Sequence, residues 1–441
     1  MSRRDLVMKM FLRYKEETEE RVTLGVEQNK KGSVTLTVRD KNGNPLPGVK
    51  VRARLKKHEF LHGANLFMLD EFESAEKNAI YRETFPKLFN AATLPFYWDA
   101  LEPEEGKPRF AKDSPKIYRR PAPDLCLEYC DEHNITPKEH CLTYMNFAPA
   151  WVDQMDTADV MRKLERRYAT VAGRYAGRIH GWEVINELFC TDAPKRRTPF
   201  FIGDEILDWS FRMAEKYFPC NELIINEASF VWDWIHFAYK RSGYYQMIEQ
   251  GLRRGLRIDA VGMQFHMFNK REDEHRYLAS RFNPRSLFEV LDTYATLGKP
   301  IQITEITIPA YSNSADDEAA QADLIEQLYS VWFSHPATEA AIYWNLPDGY
   351  AAFAPQGDMT SGENVYYGGL LRFDMSKKPA AERLEYLFGE KWHTDVTCET
   401  DGEGVARFRG FYGTYEVTVG GKTYEIRTSK KRFNDLNLTV D

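Results

Sequence analysis

Two runs of strand-type residues end in a glutamate: Trp182-Glu183-Val184-Ile185-Asn186-Glu187 and Ile303-Thr304-Glu305. Two carboxylates facing each other across a cleft are what cleavage of a glycosidic bond requires. At a separation of about 5–5.5 Å one acts as acid and base while the other attacks the anomeric carbon. A lone glutamate at a strand end is ordinarily a surface carboxylate or a salt-bridge partner, so the pair has meaning only if one architecture aims both at the same point. Asn186, directly before Glu187, offers an amide that can donate to a sugar hydroxyl gaining charge during reaction. A third run, Gly262-Met263-Gln264-Phe265-His266, turns Gln264 and His266 to one face by the two-residue period of a strand. An imidazole there can hold a neighbouring carboxylate ionised and oriented.

The elements that must position these residues follow from the hydrophobic pattern. Between residues 60 and 348, β-rich runs at 60–67, 91–97, 135–144, 179–186, 222–227, 258–265, 300–306 and 339–346 alternate with amphipathic stretches such as 157–176, 203–217, 235–254, 285–297 and 317–333. Strand alternating with helix eight times predicts the α/β class and a (β/α)8 TIM barrel. In such a barrel the active site lies at the carboxyl ends of the strands. Glu187 closes the fourth, Gln264 and His266 the sixth, and Glu305 the seventh.

The two ends of the chain read differently. Residues 33–57 alternate apolar and polar side chains about an Asn-Gly turn, a hairpin signal, and 394–428 show the same alternation broken by glycines. Neither piece makes an adequate core alone. Joined, they give six or seven strands, so a small β-sandwich built from both termini is expected, with two separate β-extensions as the alternative. The pattern resembles carboxypeptidase-regulatory or transthyretin-like modules. The expected organisation is 1–57 (a charged amphipathic helix over 5–21, then strands of the sandwich), 58–392 (the barrel) and 393–441 (the remaining strands).

Composition narrows the partners. The 441 residues carry 59 basic and 66 acidic side chains, a net charge of −7 that provides no basic footprint for nucleic acid. No apolar run approaches the roughly 18 residues that would span a bilayer, so no membrane association is expected. The first twenty residues are broken by charges and lack an apolar signal core, which predicts a cytoplasmic protein, or a secreted one if a leader has been removed. The six cysteines, Cys126, Cys130, Cys141, Cys190, Cys220 and Cys398, form no CxxC pair, and the helical spacing of the first two reads as buried thiols. The ten histidines form no ligand cluster, so no metal is expected.

Several ordered motifs carry a family resemblance. WEVINE, GMQFH, ITEITI and YWNLPD, together with FNAATLPFYWDALEPEEGKPRF, KEHCLTYMNFAPAW and GLLRFDMSKKPAAERL, resemble the motifs of glycoside hydrolase family 10, the endo-β-1,4-xylanase family, in order from about residue 60 to 385. The resemblance implies that Glu187 is the acid/base, that Glu305 is the nucleophile, and that no metal or organic cofactor is used.

The departures are as informative. The family's sugar-binding Glu-Asn pair has no counterpart in Leu94-Pro95-Phe96, and its Lys is Tyr97. Its Trp-His is Tyr144-Met145, the Gln that follows is Phe147, a Trp of the eighth loop is Ala352, and the Asp behind the histidine is Thr307. Each lost hydrogen bond to a sugar is worth about 1 kcal/mol. Asn65, Trp98, Asp99, Tyr144 and Trp344, with Tyr97 and Phe147, are the candidates to rebuild sugar contacts. The expected activity is therefore a retaining β-glycosidase on plant-type oligo- or polysaccharides, xylanase-like with altered sugar specificity. The alternative is a carbohydrate-binding barrel with weak or no turnover. The expected partner is carbohydrate, with a homo-oligomer braced by the sandwich a further possibility.

Overall fold

In a computed structural model the structure describes residues 2–189 and 198–440, leaving aside the side chains of 234–237. Cys190 lies outside the described residues. Two strands, β1 (Lys31–Asp40) and β2 (Lys50–His58), precede eight more: β3 (Leu61–Asn65), β4 (Ala91–Pro95), β5 (Thr136–His140), β6 (Gly181–Asn186), β7 (Glu222–Glu227), β8 (Ala260–His266), β9 (Ile301–Thr307) and β10 (Thr338–Tyr343). These eight pair in parallel, each with the next, and β10 returns to β3 to close a barrel. The α/β barrel expected from the alternation is the observed fold, and each expected run falls on one of its strands.

Strands such as β6 and β9 are buried on both faces, which is why they read as largely apolar runs whose polar side chains must be paired inside. The barrel also needs close backbone approach at its first seam. A Cβ on Gly63 would stand 2.4 Å from the Ala91 carbonyl oxygen, so only glycine fits there.

Five later strands, β11 (Asp395–Glu399), β12 (Val405–Phe411), β13 (Gly413–Val419), β14 (Lys422–Thr428) and β15 (Asp435–Val440), join β1 and β2 in two further sheets. One has the order β12-β1-β15 and the other β11-β2-β13-β14. Strands from both ends of the chain thus share each sheet. Alternate residues such as Val34, Leu36 and Val38 on β1 and Val51, Ala53 and Leu55 on β2 are buried in a core continuous with the barrel's.

One local expectation fails. The Asn42-Gly43 turn forms, with Gly43 at φ +85° and its N–H on the Asp40 carbonyl, but β1 and β2 do not pair as a hairpin. The chain crosses instead from one sheet to the other, because β1 finds β12 and β15 while β2 finds β11 and β13. A turn sequence fixes a reversal of direction, not the partner of the strand that follows it.

Ahead of the sheets, α1 (Arg3–Arg13) and α2 (Lys15–Asn29) replace the single expected helix, with the break at Tyr14. Buried Arg3 grips Glu274 through two bonds of 2.8 and 2.9 Å and donates to the Pro309 carbonyl, tying α1 to the loop just beyond β9. Among the described residues no helix is long and apolar enough to cross a membrane.

Candidate active site

The carboxyl ends of β5 to β10 bring the strand-end residues together. Gln264, on β8, is the hub: its Nε2 lies 2.8 Å from Glu187 Oε1 and 3.1 Å from Glu305 Oε1. Those two carboxylate oxygens are therefore no farther apart than the sum of the two distances, 5.9 Å. Asn226, at the end of β7, donates through Nδ2 to Glu305 Oε1 at 3.1 Å and to Asn186 Oδ1 at 2.8 Å. The Thr304 hydroxyl holds Asn226 from its oxygen side at 2.5 Å. Space for that amide depends on Gly262, where a Cβ would come within 2.6 Å of Asn226 Oδ1. With the Asn186 oxygen engaged by Asn226 and Gln264, its NH2 has no partner among the described residues and is left to meet a ligand.

Glu187 sits just past β6 in the left-handed region at φ +53°, with its N–H on the Asn226 carbonyl. For a non-glycine residue this conformation costs about 1–3 kcal/mol and persists where the surroundings enforce it. The Tyr144 hydroxyl donates to Glu187 Oε2, so Tyr144 and Gln264 fix the two carboxylate oxygens from opposite sides.

His266 bridges Glu305 and Thr307. Its Nε2 is 3.2 Å from Glu305 Oε2, and its Nδ1 is 2.9 Å from the Thr307 hydroxyl. Burial pushes the imidazole down to about 4, so at neutral pH the ring is uncharged. A neutral ring has one N–H, so in this Glu305–His266–Thr307 chain one ring nitrogen donates and the other accepts. The Thr307 hydroxyl can donate to or accept from Nδ1, whereas an ionised carboxylate there could only accept and would draw a proton onto Nδ1. The Phe268 ring stacks on the imidazole at 4.5 Å and holds its plane.

Beneath Glu305 lies a group that reasoning from the sequence missed. Glu183, fully buried on β6, pairs with both Lys138 and His140 of β5. His140 Nδ1 is 3.9 Å from Glu305 Oε1, and its Nε2 is 3.0 Å from the Tyr97 hydroxyl. His140, Glu183 and Glu305 stand within 4.8 Å of one another, close enough to share a cation, but the Lys138 ammonium already neutralises Glu183. The available signal was the two-residue period: Lys138 and His140 share a face of β5, and charges buried there must meet a partner inside the barrel.

The remaining candidates divide. Trp344 stands between the two imidazoles, its ring 5.5 Å from His140 and 6.0 Å from His266. Tyr144 joins Tyr97 and Phe147 in an aromatic wall, with Tyr97 and Phe147 4.4 Å apart. Asn65, buried at the end of β3, lies 3.4 Å from Asn345. Asp99 is half-buried on the helical turn Trp98–Leu101, where its charge acts on Arg120. Trp98 stands apart from the cluster: its ring packs edge-on against Trp151 and its Nε1 donates to Glu102 at 3.0 Å.

Burial, reinforced by the charges of Glu183 and Glu187 and opposed by His140, pushes the Glu305 carboxyl up to about 8. The folded protein therefore holds this proton above pH 4.5, where an unfolded chain releases it. The stability that goes with the protonated form is present below pH 4.5 and is lost as pH rises towards 8. Glu305→Gln, which cannot ionise, should raise the melting temperature by a few °C, with a larger gain at pH 8 than at pH 5. Paired thermal melts at the two pH values test this, and a gain that is equal or smaller at pH 8 contradicts it.

Comparison with known proteins gives a consistent picture. The model of Glycosyl hydrolase family 10 matches residues 60–369. The anti-sigma-I factor RsgI6 of Acetivibrio thermocellus is 25% identical over 400 residues, 89% of this chain and 45% of its own length. The chain thus spans less than half of that relative. Endo-1,4-beta-xylanase B of Thermotoga neapolitana is 25% identical over 342 residues, 75% of this chain and 88% of its own. Among solved structures, native xylanase 10B from Thermotoga maritima matches with a TM-score of 0.59 at 23% identity, covering 76% of this chain and 96% of that one.

Proposed function

The chain belongs to glycosyl hydrolase family 10, and from that premise we propose that it is a retaining β-glycosidase acting on xylan-type oligo- or polysaccharides. The observation that carries this reading is the Gln264 amide bridging Glu187 and Glu305, which bounds their oxygens at 5.9 Å. That spacing suits direct attack by one carboxylate and leaves no room for the water that an inverting pair must hold between them. Glu187 protonates the glycosidic oxygen as Glu305 attacks the anomeric carbon, giving a glycosyl-enzyme ester. Glu187 then takes a proton from water, which attacks the same carbon and releases Glu305. The free NH2 of Asn186 donates to the hydroxyl beside the reacting carbon, and Trp344 offers its ring to the sugar.

Hydrolysis of xylotetraose followed by NMR of the anomeric protons should show the β-anomer of the new reducing end first. The α-anomer appearing first would rule out the double displacement.

A second reading, a barrel that binds carbohydrate without cleaving it, is favoured by one finding: the relative that matches 89% of the chain bears the name of an anti-sigma factor. Calorimetric binding of xylo-oligosaccharides with no product after prolonged incubation would select it. A cytoplasmic location fits the five described cysteines, all free thiols, three of them buried.

A further inference from the structure

The wall beside Tyr97 contains two consecutive arginines with unusual surroundings. Arg119 is 4% exposed and adopts φ +63°, a left-handed conformation that aims its side chain inward. It donates through Nη1 to Asn345 Oδ1 at 2.7 Å and to the Tyr350 carbonyl, while its Nε is buried with no partner. Arg120 donates to the Arg119 carbonyl at 2.9 Å, and its guanidinium lies 4.0 Å over the Tyr97 ring, with the Phe67 and Phe147 rings at 5.3 and 5.5 Å. Among the described residues, neither guanidinium has a carboxylate within ion-pair distance. The nearest acidic influences are Asp99 on Arg120 and Glu363 on both, and burial presses the Glu363 carboxyl towards its neutral form.

Holding two adjacent cations, one buried and one half-buried, among aromatic rings and carbonyl oxygens is costly unless an anion meets them. A planar guanidinium with an unused donor edge is matched by a carboxylate, which it binds through paired N–H groups. The position of the pair identifies what would bring one. The Tyr97 ring under Arg120 reaches His140, and His140 reaches Glu305. The arginines thus stand one aromatic ring back from the reacting centre, with Phe67 and Asn345 beyond the ends of β3 and β10. The Glu187 side of the cleft, beyond β6, is elsewhere.

Building on the glycosidase reading, we propose that the sugar on this side of the cleft carries a carboxylate, and that Arg119 and Arg120 select it. The substrate class is then an acidic oligosaccharide, with a uronic acid either as the glycone itself or as a branch on it.

The test compares kcat/KM within two matched pairs: 4-nitrophenyl β-glucuronide against the β-glucoside, and glucuronate-branched against unbranched xylo-oligosaccharides. The acidic member should be favoured at least tenfold in one pair, and which pair it is tells glycone from branch. Arg120→Met and Arg119→Met should each lower that acid-to-neutral ratio about tenfold or more. Calorimetry on the Glu305→Gln protein measures the same preference without turnover. Equal or better use of the neutral members, or a ratio that neither variant moves, overturns the proposal while leaving the glycosidase reading intact. Selective binding of the acidic oligosaccharides with no hydrolysis would do the reverse.

Discussion

Glu305→Ala should lower kcat/KM on xylo-oligosaccharides by about 10⁴-fold or more if Glu305 is the attacking group of the proposed mechanism. The expectation is more specific than loss of activity. Removing this carboxylate leaves an opening faced by two amide donors, Asn226 Nδ2 and Gln264 Nε2, each 3.1 Å from one lost oxygen, and by His266 Nε2, 3.2 Å from the other. A small anion such as azide should enter that opening and attack an activated aryl β-xyloside from the same side. The product is then an α-glycosyl azide, in which the carbon–aryloxide bond has broken, a carbon–nitrogen bond has formed and the aryloxide has left. Wild-type rates in the alanine variant, or a β-azide product, would show that the attacking group lies elsewhere. In the wild type, attack needs the ionised carboxylate. The acid limb of kcat/KM should therefore lie above the ordinary carboxylate value of 4.5, in the direction in which burial moves Glu305.

The second large effect belongs to Glu187, and it should depend on the leaving group. Glu187→Gln removes the proton that an alkoxide leaving group requires, so hydrolysis of unactivated oligosaccharides should fall by about 10²–10⁴-fold. A 2,4-dinitrophenyl xyloside departs as a stable anion and needs no such proton. Its first step should survive and its second should stall for want of a base, which stopped-flow absorbance would record as a burst followed by a slow steady state. Azide should relieve the stall and yield a β-glycosyl azide, the opposite anomer to that expected from Glu305→Ala. An equal loss on both classes of substrate would mean that Glu187 supports the site without exchanging protons. The amide is chosen because it keeps a polar group between Gln264 and Tyr144, the two partners of the native carboxylate.

Much of the barrel and its mouth could be read from the chain because both obey short-range rules. A strand buried on both faces announces itself as an apolar run, and chemistry at its carboxyl end follows from the fold. Glu187, Gln264, His266 and Glu305 were found by position in their strands, and the structure places all four in one hydrogen-bonded group. Trp98 shows where that logic weakens. The chain turns into a helix immediately after β4, so the side chain rotates away from the barrel axis and under its own loop. Arg119 and Arg120 lie in a long irregular segment with no period to say which way a side chain points. The Lys138–Glu183–His140 group was hidden differently. Each member looked like an ordinary polar residue, and only the parallel register of β5 and β6 sets them side by side. The Asn-Gly turn misled because long-range pairing, absent from local sequence, decided where β2 would lie.

The pairing of β1 with β12 and β15 has a consequence for the ribosome. Thr37 meets Val405, and Thr35 meets Asp435, so β1 leaves the exit tunnel roughly 370 residues ahead of its first neighbour in the sheet, a wait of roughly 20–70 s at ordinary rates of translation. During that interval, apart from the short return at Asn44–Leu46, its edges lack their sheet partners while the whole cylinder is being made. Val34, Leu36 and Val38 then belong to a strand whose two sheet partners have yet to be made. Nascent chains on neighbouring ribosomes, or a chaperone, compete for that strand until the last strands emerge to claim it.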